Sequence, residues 1–315
     1  METKKQAIGI DMGGSHIRIG LVCEDRIVDS VEFKVEASKG LTPYMSDLKN
    51  GIDSLVRKSR GQRIDGVGIS FPGLVDVGRK RPTATFGKYD DISEIDLEKW
   101  FANNWACPYF IDLDARMSAI GEWKQGAGVG YDSLVMMTLG TGIGTAVINE
   151  GAVLRGKHFQ AGSFGGHFIV DLDGPSCSCG GRGCIEAHTG SWSIDLQART
   201  NPDFSSSALS DCSSSIGYRE LFEAADAGDV LASRLKEKSL RVWAAGIVSY
   251  IHAYDPELVI LGGSVMKNAD QVLPFIQQFV DKYAVTPWGK VKVVSGMLLD
   301  DSAILGAVQC LVAGI

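Results

Sequence analysis

Two stretches of this chain share one grammar, and that repetition limits its possible folds more than any other feature. QAIGIDMGGSHIRIGLV, residues 6–22, runs apolar strand, glycine turn, apolar strand. SLVMMTLGTGIGTAVIN, residues 133–149, does the same. Each reads as a β-hairpin. EDRIVDSVEFKV follows the first with the alternation of a third strand. Leu48, Ile52, Leu55 and Val56 then fall at helical spacing, and RIDGVGISFPGLVD holds a buried strand that ends at Pro72-Gly73. Beyond the second hairpin lie helical periodicity over 219–253, a buried strand in PELVILGGSVM and a closing helix, SAILGAVQCLVAGI. Strands followed by alternating helix and strand predict an α/β class. The duplication predicts two domains with a cleft between them. The smaller is expected over 1–113, with the closing helix 303–315 packing on it, and the larger over 114–302. A chain of 315 residues has room for both.

With 45% hydrophobic and 22% charged residues, the chain has material for a globular core. Its formal net charge of −7 supplies no positive field for nucleic acid or an anionic membrane, so neither is expected as a partner. No apolar run approaches the 18 or more residues of a membrane span. Asp11 and the glycines interrupt METKKQAIGIDMGG before it reaches the length of a leader's apolar core. Of seven cysteines, Cys177, Cys179 and Cys184 crowd into eight positions, which predicts a metal site in a reducing compartment. A cytoplasmic protein is expected. Residues 201–215 are serine-rich and predict a surface loop, while Trp100, Trp105 and Trp192 read as packing.

Gly13 and Gly14, with Ser15 beside them, would let backbone N–H groups approach an anion that a side chain would block. The plain alternative for any one glycine is a positive φ in a tight turn. Asp11 tips the balance, because an apolar strand delivering a carboxylate to a glycine turn suits hydrated Mg²⁺ beside phosphates. Gly140, Thr141 and Gly142 form the second turn, and Gly262-Gly263 supplies a third glycine pair. Together they fit a nucleotide gripped across a cleft. Neither GxxxxGK[ST] nor a helix-opening GxGxxG is present, which removes the P-loop and Rossmann alternatives.

His167 stands ten positions before CSCGGRGC, so His167, Cys177, Cys179 and Cys184 are candidate metal ligands. One imidazole with three thiolates fits a closed, structural zinc site.

DMGGSHIR, LGTGIGT and VILGGSV, in that order and separation, resemble the two phosphate segments and the adenosine segment of the sugar kinase/actin/Hsp70 superfamily. The pattern GH…CxCGxxGCxE, met from Gly166 to Glu186, narrows the resemblance to the ROK family of bacterial sugar kinases and related repressors. It runs from residue 6 to residue 310. The resemblance implies a two-domain actin-like ATPase (ribonuclease H-like) fold, a homodimer, and ATP-dependent phosphorylation of a sugar hydroxyl with Mg²⁺. In FIDLDARMSAIGEW the family register selects Asp114 as general base over its rival Asp112, helix capping being the structural alternative for both. Zinc on the His-Cys cluster would order the sugar loop. Glu186 and His167 would contact the sugar, and Pro72-Gly73 would shape one wall.

Several positions depart from the family. Leu113 stands for an Asn, Arg116 for a second Asn and Phe86 for a third, and AGSFGGH lacks the Glu before His167. Losing polar contacts predicts poor binding of ordinary glucose, hence a different or less hydroxylated sugar. A catalytically silent sugar-binding homologue is the alternative. Family repressors carry a helix-turn-helix before the first phosphate turn. Here that turn begins at residue 11, so a kinase is expected rather than a sugar-responsive regulator.

Overall fold

The structure, a computed structural model, describes residues 6–59 and 63–313. The amino-terminal lysines and residues 314 and 315 of the expected closing helix lie outside them. Two compact units emerge, one of Met1–Gly130, Ala152–Ala161 and Met297–Ile315, the other of Tyr131–Gly151 and Gly162–Gly296. No helix among the described residues is long and apolar enough to cross a membrane.

The first unit contains β1 (Gln6–Met12), β2 (His16–Cys23), β3 (Arg26–Lys34), α1 (Met45–Lys58), β4 (Val67–Phe71), β5 (Leu74–Asp76), β6 (Arg81–Ala84), α2 (Leu97–Trp105), β7 (Tyr109–Leu113) and α3 (Asp114–Gln125). The second contains β8 (Leu134–Leu139), β9 (Ile143–Asn149), α4 (Ile185–Thr189), α5 (Ser191–Arg199), α6 (Tyr218–Asp226) and α7 (Val230–Tyr254). It continues with β11 (Leu258–Gly262), α8 (Ala269–Tyr283) and β12 (Lys292–Ser295); chain order makes the two-residue strand Ala152–Val153 β10. Helix α9 (Ser302–Ala313) returns to the first unit.

The first sheet has the order β3-β2-β1-β4-β7. Its first three strands are antiparallel, and β4 and β7 add in parallel to β1. Helix α1 buries Leu48, Ile52 and Leu55 against it, the stripe its spacing predicts. The other face carries a row the sequence pattern did not announce. Gly20, Gly9 and Gly68 pair side by side across β2, β1 and β4. A Cβ at Gly9 would stand 2.6 Å from the Ile304 side chain, and one at Gly68 would stand 2.2 Å from the Ala307 carbonyl oxygen. The row is a trough that receives α9. Helix α3 crosses α9 equally closely, since a Cβ at Gly306 would meet the Met117 carbonyl oxygen at 1.8 Å. Buried Glu122 secures the approach to α9, with Oε1 accepting from Leu298 N–H (2.7 Å) and Oε2 from Met297 N–H (3.0 Å). The first unit therefore takes in α3, whereas the sequence reading draws the boundary at 113.

In the second unit the strands run β9-β8-β11-β12, with β8 and β9 antiparallel and the other pairs parallel. The expected helical run 219–253 is two helices. Gly228, at φ 90°, ends the first, and the Asp229 carboxylate starts the second by accepting from Ala232 N–H at 2.8 Å. The serine-rich stretch contains short 3₁₀ turns at Phe204–Ser206 and Ala208–Asp211.

Candidate functional site

Parallel strands gather their carboxyl ends at one edge of a sheet, the place where open α/β sheets hold ligands. In the first unit Asp11 pairs with Ser70 across β1 and β4, and Ser70 with Asp112 across β4 and β7. The Gly13–Ser15 turn, the buried Pro72-Gly73 turn and Asp114 continue from these three strands, so the sequence-predicted residues of this unit share one edge. An open cavity of about 730 Å³ borders it, lined by Asp11, Gly13, Ser15, Arg18, Asp300 and Asp301 among others.

Asp11 accepts a hydrogen bond from the Ser70 hydroxyl at 2.7 Å. Burial raises its pKa above the usual carboxylate value, while Ser70 and Arg18 act in the opposite direction. Asp114 is the first residue of α3 and its Oδ1 accepts from Ala115 N–H at 2.6 Å. Burial pushes its pKa up to about 6; the Asp11 charge adds to the rise, and the Ala115 amide and Lys88 oppose it. A carboxyl group held there is ionised at neutral pH yet more basic than an ordinary aspartate.

Asp112 has a different setting. It is buried, its Oδ1 lies 3.0 Å from Arg116 and its Oδ2 lies 2.9 Å from Arg155, and neither Asp112 nor Arg116 exposes any side-chain surface. Arg116 also donates to the Phe159 carbonyl at 2.6 Å. Asp112 is thus committed to an ion triad, and Arg116 does not offer its guanidinium to solvent. Sequence spacing missed the triad because Arg155 is 43 residues away.

The glycine turns do not use the conformational licence of glycine. Gly13, Gly14, Gly140 and Gly142 all lie outside the positive-φ region. A Cβ at Gly140 would meet nothing within 4 Å, and one at Gly14 would meet only the Lys88 Cε, at 3.8 Å. Among the described residues, the amides of Gly14, Ser15, Thr141 and Gly142 donate to no acceptor. Open space beside unspent N–H groups fits an anion at each turn.

In the second unit β8 and β11 are parallel neighbours, which sets Gly262 opposite Thr138 and brings Gly262-Gly263 to the same edge as the Gly140–Gly142 turn. Ser191 braces that turn, its N–H and hydroxyl both donating to the Gly140 carbonyl (3.1 and 2.9 Å). Half-buried Glu186 reaches it too, accepting from Ile143 N–H at 2.9 Å while Ser178 donates to its other oxygen at 3.2 Å. Neither Ser191 nor Ser178 stood out in the sequence.

Ligand atoms of His167, Cys177, Cys179 and Cys184 lie within 4.8 Å of one another. The Cys179 and Cys184 sulfurs are 3.7 Å apart, and His167 Nδ1 is 3.5 Å from the Cys177 sulfur. Tetrahedral zinc with Zn–S of ~2.3 Å and Zn–N of ~2.0 Å requires sulfur–sulfur edges of about 3.8 Å and sulfur–nitrogen edges of about 3.5 Å. The cluster fits. Burial, then the neighbouring cysteines, push the Cys184 thiol up to about 12, so a cation is needed before all three sulfurs ionise together. Gly183 makes the loop possible, because at φ 66° its missing Cβ would lie 1.6 Å from the Asp171 carbonyl oxygen.

Comparison with known proteins agrees with this architecture. The sequence model of the ROK family matches residues 7–313. The chain is 31% identical to a glucokinase of Thermotoga maritima over 311 residues, 96% of each chain. A ROK hexokinase structure from Thermus thermophilus superposes with TM-score 0.78 at 27% identity, covering 96% of both chains. A ROK family glucokinase from Streptomyces griseus, solved with glucose and AMPPNP, gives 0.77 at 27% identity over 96% of this chain and 97% of that one. The fold is the actin-like ATPase fold of ROK sugar kinase structures. With the match spanning nearly its whole length, the chain belongs to the ROK family.

Proposed function

We propose that this protein is an ATP-dependent sugar kinase in which Asp114 is the general base. The observation that carries the reading is the position of Asp11, at the end of β1, and of Asp114, just past the end of β7, at the sheet edge that bears the first open glycine turn. Phosphoryl transfer needs positioning and charge neutralisation more than covalent chemistry. The amides of Gly14 and Ser15, and those of Thr141 and Gly142, would hold phosphates, with Gly262-Gly263 beside the adenosine. Mg²⁺ beside Asp11 would neutralise phosphate charge. Asp114 takes the proton of the sugar hydroxyl as the new oxygen–phosphorus bond forms and the nucleotide leaves as the diphosphate. Its raised pKa keeps it ionised at neutral pH and strong enough to accept that proton.

Glu186, fixed by Ile143 and Ser178, keeps acceptor capacity for sugar hydroxyls. Zinc on His167, Cys177, Cys179 and Cys184 would hold the loop that presents Glu186 and His167, and metal analysis of the purified protein tests it. Leu113 is buried and Arg116 is locked to Asp112, so neither replaces the polar contacts that Asn makes elsewhere in the family. A different or less hydroxylated sugar follows. ADP release across hexoses, N-acetylhexosamines and deoxysugars tests the reading, and Asp114→Asn should lower turnover by about 10²–10⁴ while nucleotide still binds. Phe86, 62% exposed where the family has a polar residue, favours the second reading of a silent sugar-binding homologue. Silence across the panel despite nucleotide binding would select it.

A further inference from the structure

The segment Thr85-Phe86-Gly87-Lys88-Tyr89 is built around a conformation most residues avoid. Phe86, Gly87 and Tyr89 have φ values of 51°, 77° and 56°, so two non-glycine residues within four positions are left-handed. Surrounding structure must enforce such a path. Tyr89 is wholly buried, its hydroxyl donates to the Gly13 carbonyl at 2.6 Å, and its amide donates to the Ala37 carbonyl at 2.7 Å. Ala37 N–H in turn donates to the Gly14 carbonyl at 3.0 Å. These bonds clamp the segment to the first glycine turn, and Lys88 N–H closes it locally on the Thr85 carbonyl at 3.0 Å.

The clamp aims Lys88. Its Cε lies 3.8 Å from the place a Gly14 Cβ would occupy, so the side chain stands beside the open side of Gly14. Lys88 is exposed and has no ion-pair partner among the described residues. Arg18, the other cation at this edge, is taken up by Asp301 at 2.6 Å and the Asp300 carbonyl at 3.1 Å. A flexible ammonium beside unspent amides is a phosphate-binding arrangement, the lysine acting as a point charge. The same charge is felt at Asp114, which lies on the same edge.

We propose that Lys88 Nζ contacts the terminal phosphoryl group of the nucleotide, completing the anion site at the first turn. The proposal rests on the kinase reading above. The clamped, left-handed segment then serves to hold one cation at the phosphate end of the site.

The test is calorimetric binding of ADP and of AMPPNP, each with Mg²⁺, to the wild-type protein, Lys88→Gln and Lys88→Arg. One charged hydrogen bond converts to about ten- to a hundredfold in affinity. Lys88→Gln should lose about that factor for AMPPNP and change less than about twofold for ADP, with Lys88→Arg recovering most of the loss. Lys88 is on the surface, so an unchanged melting temperature will separate a lost contact from a lost fold. Equal losses for both nucleotides, or no loss for AMPPNP, would overturn the assignment of Lys88 and leave the kinase reading intact. A wild-type protein that binds neither nucleotide would overturn both.

Discussion

The two glycine hairpins use the same backbone device in different company. The Gly13–Ser15 turn is clamped by an aromatic residue, Tyr89, and shares its sheet edge with two carboxyl groups whose pKa values are raised by burial. The Gly140–Gly142 turn is braced by Ser191 and by Glu186, which leans on the cysteine-rich loop. Both leave amides unspent. The company differs: buried carboxyl groups share the first unit's sheet edge, and hydrogen-bonded polar side chains brace the second unit's turn.

The contrast breaks hardest at Asp114. Replacing it with Asn should lower kcat by about 10²–10⁴ in a coupled ADP-release assay, the span general bases contribute. The same change should stabilise the fold. A carboxyl group whose folded pKa is raised from 3.8 to about 6 binds its proton more tightly when folded, so its stabilising contribution is complete below about pH 4 and is lost as pH rises through 6. Asp114→Asn should therefore raise the melting temperature by about 2–4 °C at pH 7 and leave it unchanged at pH 4. Asp112, two residues earlier, should behave oppositely. Asp112→Ala strands two guanidinium groups and should cost about 3–5 kcal/mol in denaturant titration.

A subtler comparison sets the turns against each other. Gly140→Ala adds a methyl group that touches nothing in the protein. It should leave the melting temperature within about 1 °C and weaken nucleotide binding about tenfold by calorimetry, a loss of ~1.4 kcal/mol. Activity should also fall about tenfold per pH unit below about 6 as Asp114 takes up its proton, a limb that the second turn does not contribute. Smallest is Tyr89→Phe, which removes one hydrogen bond to Gly13 and should cost about 1 kcal/mol of stability.

Much of this was legible in the sequence because it is local. Strand–turn–strand grammar, the helical stripe of Leu48, Ile52 and Leu55, and the gathering of His167 with three cysteines all declare themselves within about twenty residues. Long-range facts did not. Nothing near Asp112 announces Arg155, so two aspartates at the end of β7 were distinguishable only by family register. Gly9, Gly20 and Gly68 look like ordinary strand glycines until α9 lies over them. The boundary drawn at 113 had no view of Gly121 and Gly306, whose missing side chains join α3 to α9. The turn glycines invited the usual appeal to positive φ, which holds for Gly263 but not for Gly13, Gly14, Gly140 or Gly142; of these four, Gly14 and Gly140 leave space, while Gly13 and Gly142 admit close packing.

The trough of Gly20, Gly9 and Gly68 also sets a timetable. Its strands are synthesised long before Ser302, where α9 begins. At about 5–20 residues per second, the ribosome needs roughly ten to forty seconds to pass from Leu113 to that helix. Throughout that interval the first sheet emerges with an uncovered apolar floor. On that face Ala7 and Val22 gain their apolar partners Ile304, Leu305 and Val308 only when the final helix drops into place.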